Sequence, residues 1–290
     1  MPDSTLHEPV LAWYAEHQRD LPWRRPEASA WSVLVSELML QQTPVARVLP
    51  VHEAWLERWP TPADLAAEPT GEAVRAWGRL GYPRRALRLH AAAVAIVERH
   101  DGVVPDAYDD LLALPGVGDY TAAAVASFAY GRRHVVLDTN VRRVIARVVG
   151  GVEHPPASLT RAERDRAAAL VPDDDATAAT WAVAVMELGA LVCTAANPRC
   201  PACPLASACA WRAAGCPPHD GPPRRGQAWA GTDRQCRGRL LAVLREADGA
   251  VHRSSLEAVW DDVPQRERCL AALVTDGLAT RTGPDTYALP

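Results

Sequence analysis

Residues 109–131 read DDLLALPGVGDYTAAAVASFAYG, and this stretch decides the fold that we expect. The pattern predicts a short helix that ends at Leu114-Pro115, a sharp turn at Gly116-Val117-Gly118 and a second helix from about Tyr120. The two glycines permit positive φ and a close approach of another backbone. Free N–H groups at the start of the second helix would suit a phosphate group. An ordinary tight interhelical turn is the alternative.

Most of the chain before residue 210 is predicted to be helical. Residues 31–42 carry apolar side chains on nearly every helical face, which is typical of a buried helix. Residues 86–99, 161–171 and 178–192 also show helical apolar spacing, and no alternating run is long enough for a central strand. We therefore expect a mainly α fold.

The chain beyond Cys209 has a different composition. Residues 215–232 hold four prolines and four glycines and are predicted to be a linker. The last 58 residues are predicted to form a separate module of three helices and two short strands, in the order of a winged helix. The first predicted helix starts with Leu240–Arg245, the second has Ser254 or Ser255 as its N-cap, the third runs over Pro264–Thr275, and the two strands flank Gly283-Pro284. A plain helical hairpin with a frayed tail is the alternative.

The chain has 290 residues and a formal net charge of −4, and all 31 of its Lys and Arg residues are arginine. The missing lysine excludes enzymes that form a Schiff base through lysine, pyridoxal phosphate enzymes and GxxxxGK[ST] phosphate loops. Residues 71–100, 132–150 and 210–240 each carry a net charge of +4, while the rest of the chain is acidic. These three basic blocks could line one groove, or they could be solvated helix faces.

Cys193, Cys200, Cys203 and Cys209 follow the pattern C-x6-C-x2-C-x5-C within 17 residues. Thiolates so close in the chain can converge on one centre, which suits zinc or an iron–sulfur cluster, and the spacing alone does not choose between them. The sequence shows no apolar run of about 18 residues and no secretory signal pattern. We therefore expect a cytoplasmic protein in a reducing compartment.

Two carboxylates stand out by their surroundings. Glu37 lies inside the apolar helix, where desolvation should raise its pKa and make it a general acid; a surface glutamate paired with an arginine is the alternative. Asp138 follows an apolar run and precedes a helix, so it is predicted to cap that helix and to stay ionised. One neutral acid and one ionised carboxylate form the pair that cleaves glycosidic bonds.

Seven motifs in chain order resemble the helix-hairpin-helix DNA glycosylases of the endonuclease III superfamily, over roughly residues 7–212. Within that superfamily the chain is similar to the MutY family, which removes adenine mispaired with 8-oxoguanine. The motifs are LPWR (21–24), SELMLQQT (36–43), GYPRR (81–85), LPGVGDYTAAAV (114–125), VLDTNVRR (136–143), MELGALVC (186–193) and the four cysteines.

The resemblance implies a mainly α helix-hairpin-helix glycosylase fold with DNA between two helical lobes. It assigns residues 1–28 and 135–210 to an iron–sulfur lobe, with a [4Fe-4S] cluster on the four cysteines, and residues 29–134 to a six-helix barrel lobe. Residues 211–232 would be the linker. Residues 233–290 would be the winged-helix-like module, which is too short for the Nudix-like domain of many MutY proteins.

The resemblance also implies roles for single residues. Glu37 matches the glutamate that protonates adenine and later activates water, and Asp138 matches the aspartate that stabilises the oxocarbenium ion. The further matches are Asn140 and Glu187 as polar residues around that site, Arg24 in the adenine pocket, Gln42 and Tyr82 as wedges in the base stack with Thr43 and Leu80 close by, and Gly116, Val117 and Gly118 on the DNA backbone.

Tyr120 stands where bifunctional relatives carry the lysine that attacks the sugar, so we expect hydrolytic base removal with little strand cleavage. The implied partner is double-stranded DNA with A:8-oxoguanine or A:G mispairs. No membrane is implied, and we expect a cytoplasmic, nucleoid-associated monomer. A mismatch thymine glycosylase and a non-enzymatic iron–sulfur DNA-binding regulator are the alternatives.

Overall fold

A computed structural model describes residues 4–219, 221 and 229–290. Over these residues the chain forms fifteen α-helices and three short strands. The helices are α1 (Ser4–His17), α2 (Ala30–Leu40), α3 (Val45–Arg58), α4 (Pro62–Ala66), α5 (Thr70–Ala76), α6 (Arg84–Arg99), α7 (Tyr108–Leu112), α8 (Asp119–Tyr130), α9 (Thr139–Val148), α10 (Arg161–Ala169), α11 (Asp175–Leu191), α12 (Ala210–Ala213), α13 (Asp233–Glu246), α14 (Arg253–Glu257) and α15 (Val263–Thr275). The strands are β1 (Val251–His252), β2 (Thr280–Gly283) and β3 (Thr286–Ala288).

The helices predicted from apolar spacing are present, and the mainly α fold is confirmed. Every residue from Trp31 to Met39 on α2 is buried, as expected for a helix that is apolar on nearly every face. Helices α7 and α8 flank the predicted Gly116-Val117-Gly118 turn. Within the described ranges, no helix combines the length and the apolarity that crossing a bilayer requires.

The described residues of Met1–Leu34, Asp106–Ala113 and Val117–Pro223 group into one compact unit. Its core is formed by the apolar faces of α1, α9 and α11, with α10 packed alongside. Trp181 and Leu188 of α11 are almost completely buried there. This core fixes the start of α9 and the chain that follows α11, which are the two regions where the predicted carboxylate and cysteine sites lie.

The described residues of Val35–Pro105, Leu114–Gly116 and Arg224–Pro290 form the other unit. Three tryptophans fill its helical part: the ring centroids of Trp55 and Trp59 are 4.7 Å apart, and those of Trp55 and Trp77 are 5.9 Å apart, both edge to face. Such aromatic pairs add to the stability that burial alone provides. The last three helices and the sheet belong to the same unit.

The C-terminal module (residues 233–290) runs helix, strand, helix, helix, strand, strand, with an antiparallel sheet in the order β1-β3-β2. This is the winged-helix order that the sequence predicts. Two details of the prediction are wrong. Helix α13 begins at Asp233 and not near Leu240, because the Thr232 side chain caps it there. His252, not Ser254 or Ser255, caps α14, because its ring nitrogen accepts the Ser254 N–H at 3.2 Å. Residues 220 and 222–228 of the predicted linker lie outside the described residues.

Arginine–carbonyl hydrogen bonds join this module to α5. The Arg75 guanidinium donates to the carbonyls of Arg245 and, at 2.8 Å, of Ala247. The Arg245 guanidinium donates in return to the Val74 carbonyl at 2.9 Å, and burial lowers the pKa of Arg245 to about 10. The Arg245 guanidinium stays charged near neutral pH, so its bond to the Val74 carbonyl is charge-assisted.

Candidate functional site

Asp138 caps α9, as the sequence predicts. Its Oδ1 accepts the Val141 N–H at 2.6 Å, and its Oδ2 accepts the Asn140 side-chain amide at 2.7 Å. An aspartate at this position satisfies one of the free N–H groups that every helix start leaves. The carboxylate is therefore held by two donors that leave it little freedom to rotate.

Burial raises the pKa of Asp138, while the Val141 N–H and the Asn140 amide oppose that shift. The sequence predicts a stably ionised aspartate, and the direction of this shift runs against that prediction. The reason is desolvation, which disfavours a charged carboxylate. A positive charge brought next to Asp138 would favour the ionised form again.

Arg143 connects Asn140 to the chain beyond α11. Its Nη2 donates to Asn140 Oδ1 at 2.8 Å and to the Gly189 carbonyl at 2.7 Å, and its Nε donates to the Cys193 carbonyl at 2.7 Å. Gly189 permits this close packing, since a Cβ there would lie 2.7 Å from Asn140 Cβ. No sequence pattern predicts a role for Arg143, although it lies one turn after Asn140 on the same helix.

Glu187, which is fully buried on α11, forms ion pairs with two arginines. Arg19 makes a bidentate pair, with Nε to Oε1 at 2.7 Å and Nη2 to Oε2 at 2.6 Å, and Arg24 Nη1 lies 2.9 Å from Oε2. Burial alone would raise the pKa of Glu187, but the two guanidiniums outweigh it and hold the pKa below its ordinary value. The resemblance implies separate roles for Arg24 and Glu187, which the structure places in contact, and it gives no role to Arg19.

Tyr120, in the first turn of α8, is half-buried and packs against a small apolar cluster.

The two glycines of the turn before α8 differ in backbone conformation and in packing. Gly116 has φ +80°, and a Cβ there would lie 2.6 Å from Arg88 Cβ, so both its backbone and its packing require glycine. Gly118 has an extended backbone with φ −112°, and nothing lies within 4 Å of where its Cβ would be. Val117 between them is buried.

Glu37 lies on α2 with an exposure of 4%. The preceding residue Ser36 and the following residue Leu38 are completely buried. The Glu37 carboxyl group therefore lies on a buried part of α2. Glu37 belongs to the unit that also contains Gln42, Thr43, Leu80 and Tyr82, and the other unit contains Asp138, Asn140, Arg24 and Glu187.

Gln42 and Tyr82 both have left-handed backbone conformations, with φ +56° and +47°. Non-glycine residues rarely adopt such angles, and strain of this kind clusters at functional sites. Both residues are exposed, Tyr82 to 48%. The two predicted wedge residues are thus the tips of two strained loops in one unit.

A single buried guanidinium joins these two loops. Arg85 Nη1 donates to the Gln41 carbonyl at 2.6 Å, and its Nη2 donates to Thr43 Oγ1 at 3.0 Å and to the Gly81 carbonyl at 3.2 Å. Thr43 Oγ1 also lies 3.3 Å from the Leu80 carbonyl oxygen, as a donor. Burial lowers the pKa of Arg85 to about 10, so the group stays charged near neutral pH. Arg85 is the last residue of the GYPRR motif, and no role is predicted for it from the sequence.

The four cysteines of the predicted metal site line one pocket together with Arg147 and Trp211. Arg147 is almost fully buried, and its Nη1 lies 3.3 Å from Cys193 Sγ. Burial raises the pKa of Cys193 and raises that of Cys203 to about 11. Among the described residues, no group of three or more side chains is placed to hold a single metal ion.

The basic blocks of the sequence are not a uniform surface. Arg85, Arg143 and Arg147 are buried and bind carbonyl groups within the protein. Arg142 pairs with Glu163, with 2.9 Å between Nη2 and Oε1. Counting charges along the chain therefore overestimates the number of arginines that a partner can reach.

A model of the HhH-GPD superfamily of base excision DNA repair proteins matches residues 35–168. The chain is 55% identical over 282 residues to an adenine DNA glycosylase of Mycobacterium tuberculosis, which covers 97% of this chain and 92% of the relative. It is 56% identical over 281 residues to an adenine DNA glycosylase of Mycolicibacterium smegmatis, which covers 97% and 94%.

Solved structures share the fold over about three quarters of the chain. A thermostable thymine-DNA glycosylase superposes with a TM-score of 0.65 at 26% identity, over 72% of this chain and 96% of the other. A non-covalent endonuclease III–DNA complex superposes with a TM-score of 0.61 at 25% identity, over 74% and 99%. The helix-hairpin-helix glycosylase fold expected from the sequence is confirmed by these comparisons.

Proposed function

Because the chain belongs to the HhH-GPD superfamily of base excision DNA repair proteins and is an adenine DNA glycosylase, we propose that it hydrolyses the N-glycosidic bond of adenine mispaired with 8-oxoguanine or guanine. One observation supports this reaction above the others. Asp138 is held rigidly at the start of α9 by Val141 and Asn140, while Glu37 lies buried on α2. These are the two carboxylates that the reaction needs.

Glu37 is the proposed general acid. A carboxyl group removed from water favours its neutral form, which can donate a proton to the leaving adenine as the C1′–N bond breaks. Asp138 stabilises the positive charge that develops on the sugar, and the Asn140 amide keeps its carboxylate oriented. Water then adds to C1′ and returns a proton to Glu37, so the enzyme ends in its starting state.

Tyr120 supports hydrolysis without strand cleavage. A phenol cannot form a Schiff base with the opened sugar, and the chain contains no lysine that could take its place. We therefore expect an abasic site as product, with nicking only after alkali treatment. Borohydride reduction should trap little protein–DNA adduct.

The partner proposed for the exposed loops is duplex DNA at the mispair. An enzyme that acts on a base within a duplex must flip the target nucleotide out of the stack, which costs unstacking and unpairing energy. A side chain inserted into the gap replaces part of the lost stacking. Gln42 and Tyr82 are exposed at the tips of two strained loops and suit this role. The Gly116-Val117-Gly118 turn would hold a phosphate through its backbone N–H groups.

The cysteine pocket suits a [4Fe-4S] cluster better than zinc. A zinc site needs ligands that converge on one ion, whereas a cluster takes one thiolate on each of four irons. Cys193, Cys200, Cys203 and Cys209 would supply these thiolates, and the buried Arg147 would offset their negative charge. Because Arg147 lies on α9, its contact with Cys193 would connect such a cluster to that helix. We further propose that the protein works as a monomer and is located in the cytoplasm, where it associates with the nucleoid.

The test uses three duplexes, with A opposite 8-oxoguanine, A opposite guanine and T opposite guanine, each treated with alkali after incubation. We expect adenine release from the first two duplexes and none of thymine from the third. Glu37→Gln should abolish release while DNA binding remains, and Glu53→Gln on the exposed face of α3 serves as the control. Release of thymine but not of adenine would show a mismatch thymine glycosylase instead. Equal activity of both variants would refute the role of Glu37.

A further inference from the structure

The C-terminal module places an arginine and a tryptophan next to Tyr82. The guanidinium carbon of Arg234, on α13, lies 5.8 Å from the centroid of the Tyr82 ring and 5.0 Å from that of Trp229. Trp229 is 51% exposed and Tyr82 is 48% exposed. Arg234 thus lies beside two half-exposed aromatic rings, and the guanidinium carbon of Arg85 lies 5.4 Å from the centroid of the Tyr82 ring as well.

Contacts within the same unit keep this arrangement in place. Asp276 accepts a hydrogen bond from Arg237 of α13, and its Oδ1 lies 3.4 Å from Nη1 of Arg84, which is two residues after Tyr82. The reciprocal bonds of Arg75 and Arg245 hold α13 against α5. The position of Arg234 relative to Tyr82 is therefore built by several contacts that do not involve either side chain.

The helix and wing that winged-helix proteins often present to DNA have other partners in this module. On α15, Arg266 is 7% exposed and donates to the Trp260 carbonyl, while Arg268 pairs with Asp233. On β2, Arg281 donates to the Gly283 carbonyl at 3.0 Å. Arg266, Arg268 and Arg281 thus have partners within the module, and Arg234 is distinguished from them by its position over the Tyr82 and Trp229 rings.

We propose that Trp229, Arg234 and Tyr82 form one composite surface that binds the DNA at the nucleotide step into which Tyr82 inserts. Trp229 stacks on a nucleobase that the insertion has unstacked, and Arg234 binds a phosphate of the same strand. Unstacked nucleotides are typically bound by aromatic side chains, on which the base stacks, together with basic side chains that bind the phosphate. This proposal rests on the proposed function, since it assumes that Tyr82 enters the duplex.

The experiment measures the affinity for a duplex that contains a non-hydrolysable 2′-fluoro-adenosine opposite 8-oxoguanine, by fluorescence anisotropy over a range of salt concentrations. Arg234→Ala should weaken binding by about fivefold or more and reduce the slope of log K against log salt by about 0.9, the value for one phosphate contact. Trp229→Ala should weaken binding between about 5-fold and 100-fold, and Trp229→Phe by much less, because stacking needs only an aromatic face.

Arg239→Ala is the matched control, since Arg239 is an exposed arginine on the same helix whose guanidinium lies 5.5 Å from the Trp260 ring instead. It should bind within about twofold of the unmodified protein. Arg234→Lys should keep the salt slope, which a purely structural role of Arg234 would not produce. Equal thermal melting of all variants shows that the module stays folded, and any variant that melts early is replaced by its conservative partner.

The proposal is overturned if Arg234→Ala and Trp229→Ala bind DNA as well as Arg239→Ala does. It is also overturned if both variants weaken binding but the salt slope does not change and Trp229→Phe does not restore affinity. Failure of the proposed function has a different signature. In that case the unmodified protein releases no adenine from the cleavable duplex, while the affinity comparison still decides whether this surface contacts DNA.

Discussion

Arg143 Nη2 donates a hydrogen bond to Asn140 Oδ1 at 2.8 Å, and so fixes the amide that in turn holds Asp138. The same guanidinium binds the Cys193 carbonyl at 2.7 Å. The backbone at Cys193 and the orientation of Asp138, the proposed stabiliser of the sugar cation, therefore share one supporting side chain. Loss of this arginine would remove a hydrogen-bond donor from the Asn140 amide and from the Cys193 carbonyl at the same time.

Arg143→Gln should lower the single-turnover rate of adenine release by about tenfold to a hundredfold, because small misplacements of a catalytic group cost that much. DNA affinity should change little, since Arg143 is buried. Single-turnover kinetics and anisotropy measure the two effects. Arg142→Gln is the control, because the Arg142 side chain pairs with Glu163 instead. An unchanged rate for Arg143→Gln would show that Asn140 needs no such support.

Glu187 makes stability depend on pH. Its pKa lies below the ordinary value of 4.5 in the folded protein, so its ion pairs with Arg19 and Arg24 stabilise the fold above that value. This contribution is lost as the pH falls through the folded pKa. Arg19→Gln should therefore cost about 2–4 kcal/mol near pH 7, less than a fully buried pair because the Arg19 side chain is 33% exposed.

Urea unfolding at pH 7 and near pH 3.5 measures this difference, which should shrink at the lower pH. Arg25→Gln removes the exposed pair between Arg25 and Asp20 and should have little effect at either pH. A destabilisation by Arg19→Gln that is equal at both pH values would mean that Arg19 acts through packing and not through the charge of Glu187.

Local sequence patterns were sufficient for the features that depend on neighbours in the chain. The Asp138 cap, the turn between α7 and α8 and the buried helix α2 all follow from residues within two helical turns of each other. Arg19 and Arg85 were missed because their partners lie 168 and about 40 residues away in sequence. For Arg85 a signal did exist: it continues the buried face of Leu89 and Ile96 on α6, where a charged residue needs buried acceptors.

Charge counting failed for a related reason. A basic block reads the same whether its arginines face solvent or bind carbonyl groups in the core, because periodicity does not show where acceptors lie. The raised pKa of Asp138 was missed because a helix cap predicts donors for the carboxylate, whereas the depth of its burial depends on packing from the whole unit.

Arg85→Lys should weaken both the fold and the base-flipping step. A single ammonium cannot reach the Gln41, Thr43 and Gly81 acceptors that the planar guanidinium binds together. We expect a loss of about 3 kcal/mol in unfolding free energy and a slower rate at saturating DNA. Chemical unfolding and single-turnover kinetics measure these changes, and Arg99→Gln at the exposed end of α6 is the control. If Arg85→Lys has the same rate and stability as the unmodified protein, the strained Gln42 and Tyr82 loops keep their conformations without the Arg85 guanidinium.

The two glycines of the turn before α8 should respond differently to the same substitution. Gly116→Ala places a methyl group 2.6 Å from Arg88 Cβ at φ +80°, so it should destabilise the protein by roughly 1–3 kcal/mol. Gly118→Ala meets no atom within 4 Å and has an ordinary backbone, so its stability should be unchanged or slightly higher. Its methyl group would instead occupy the space that a phosphate needs to approach the α8 N–H groups. Gly118→Ala should therefore melt normally and bind duplex DNA several-fold more weakly, as thermal melting and anisotropy can measure. Normal binding by Gly118→Ala would mean that the open space at this turn is not where the backbone of DNA lies.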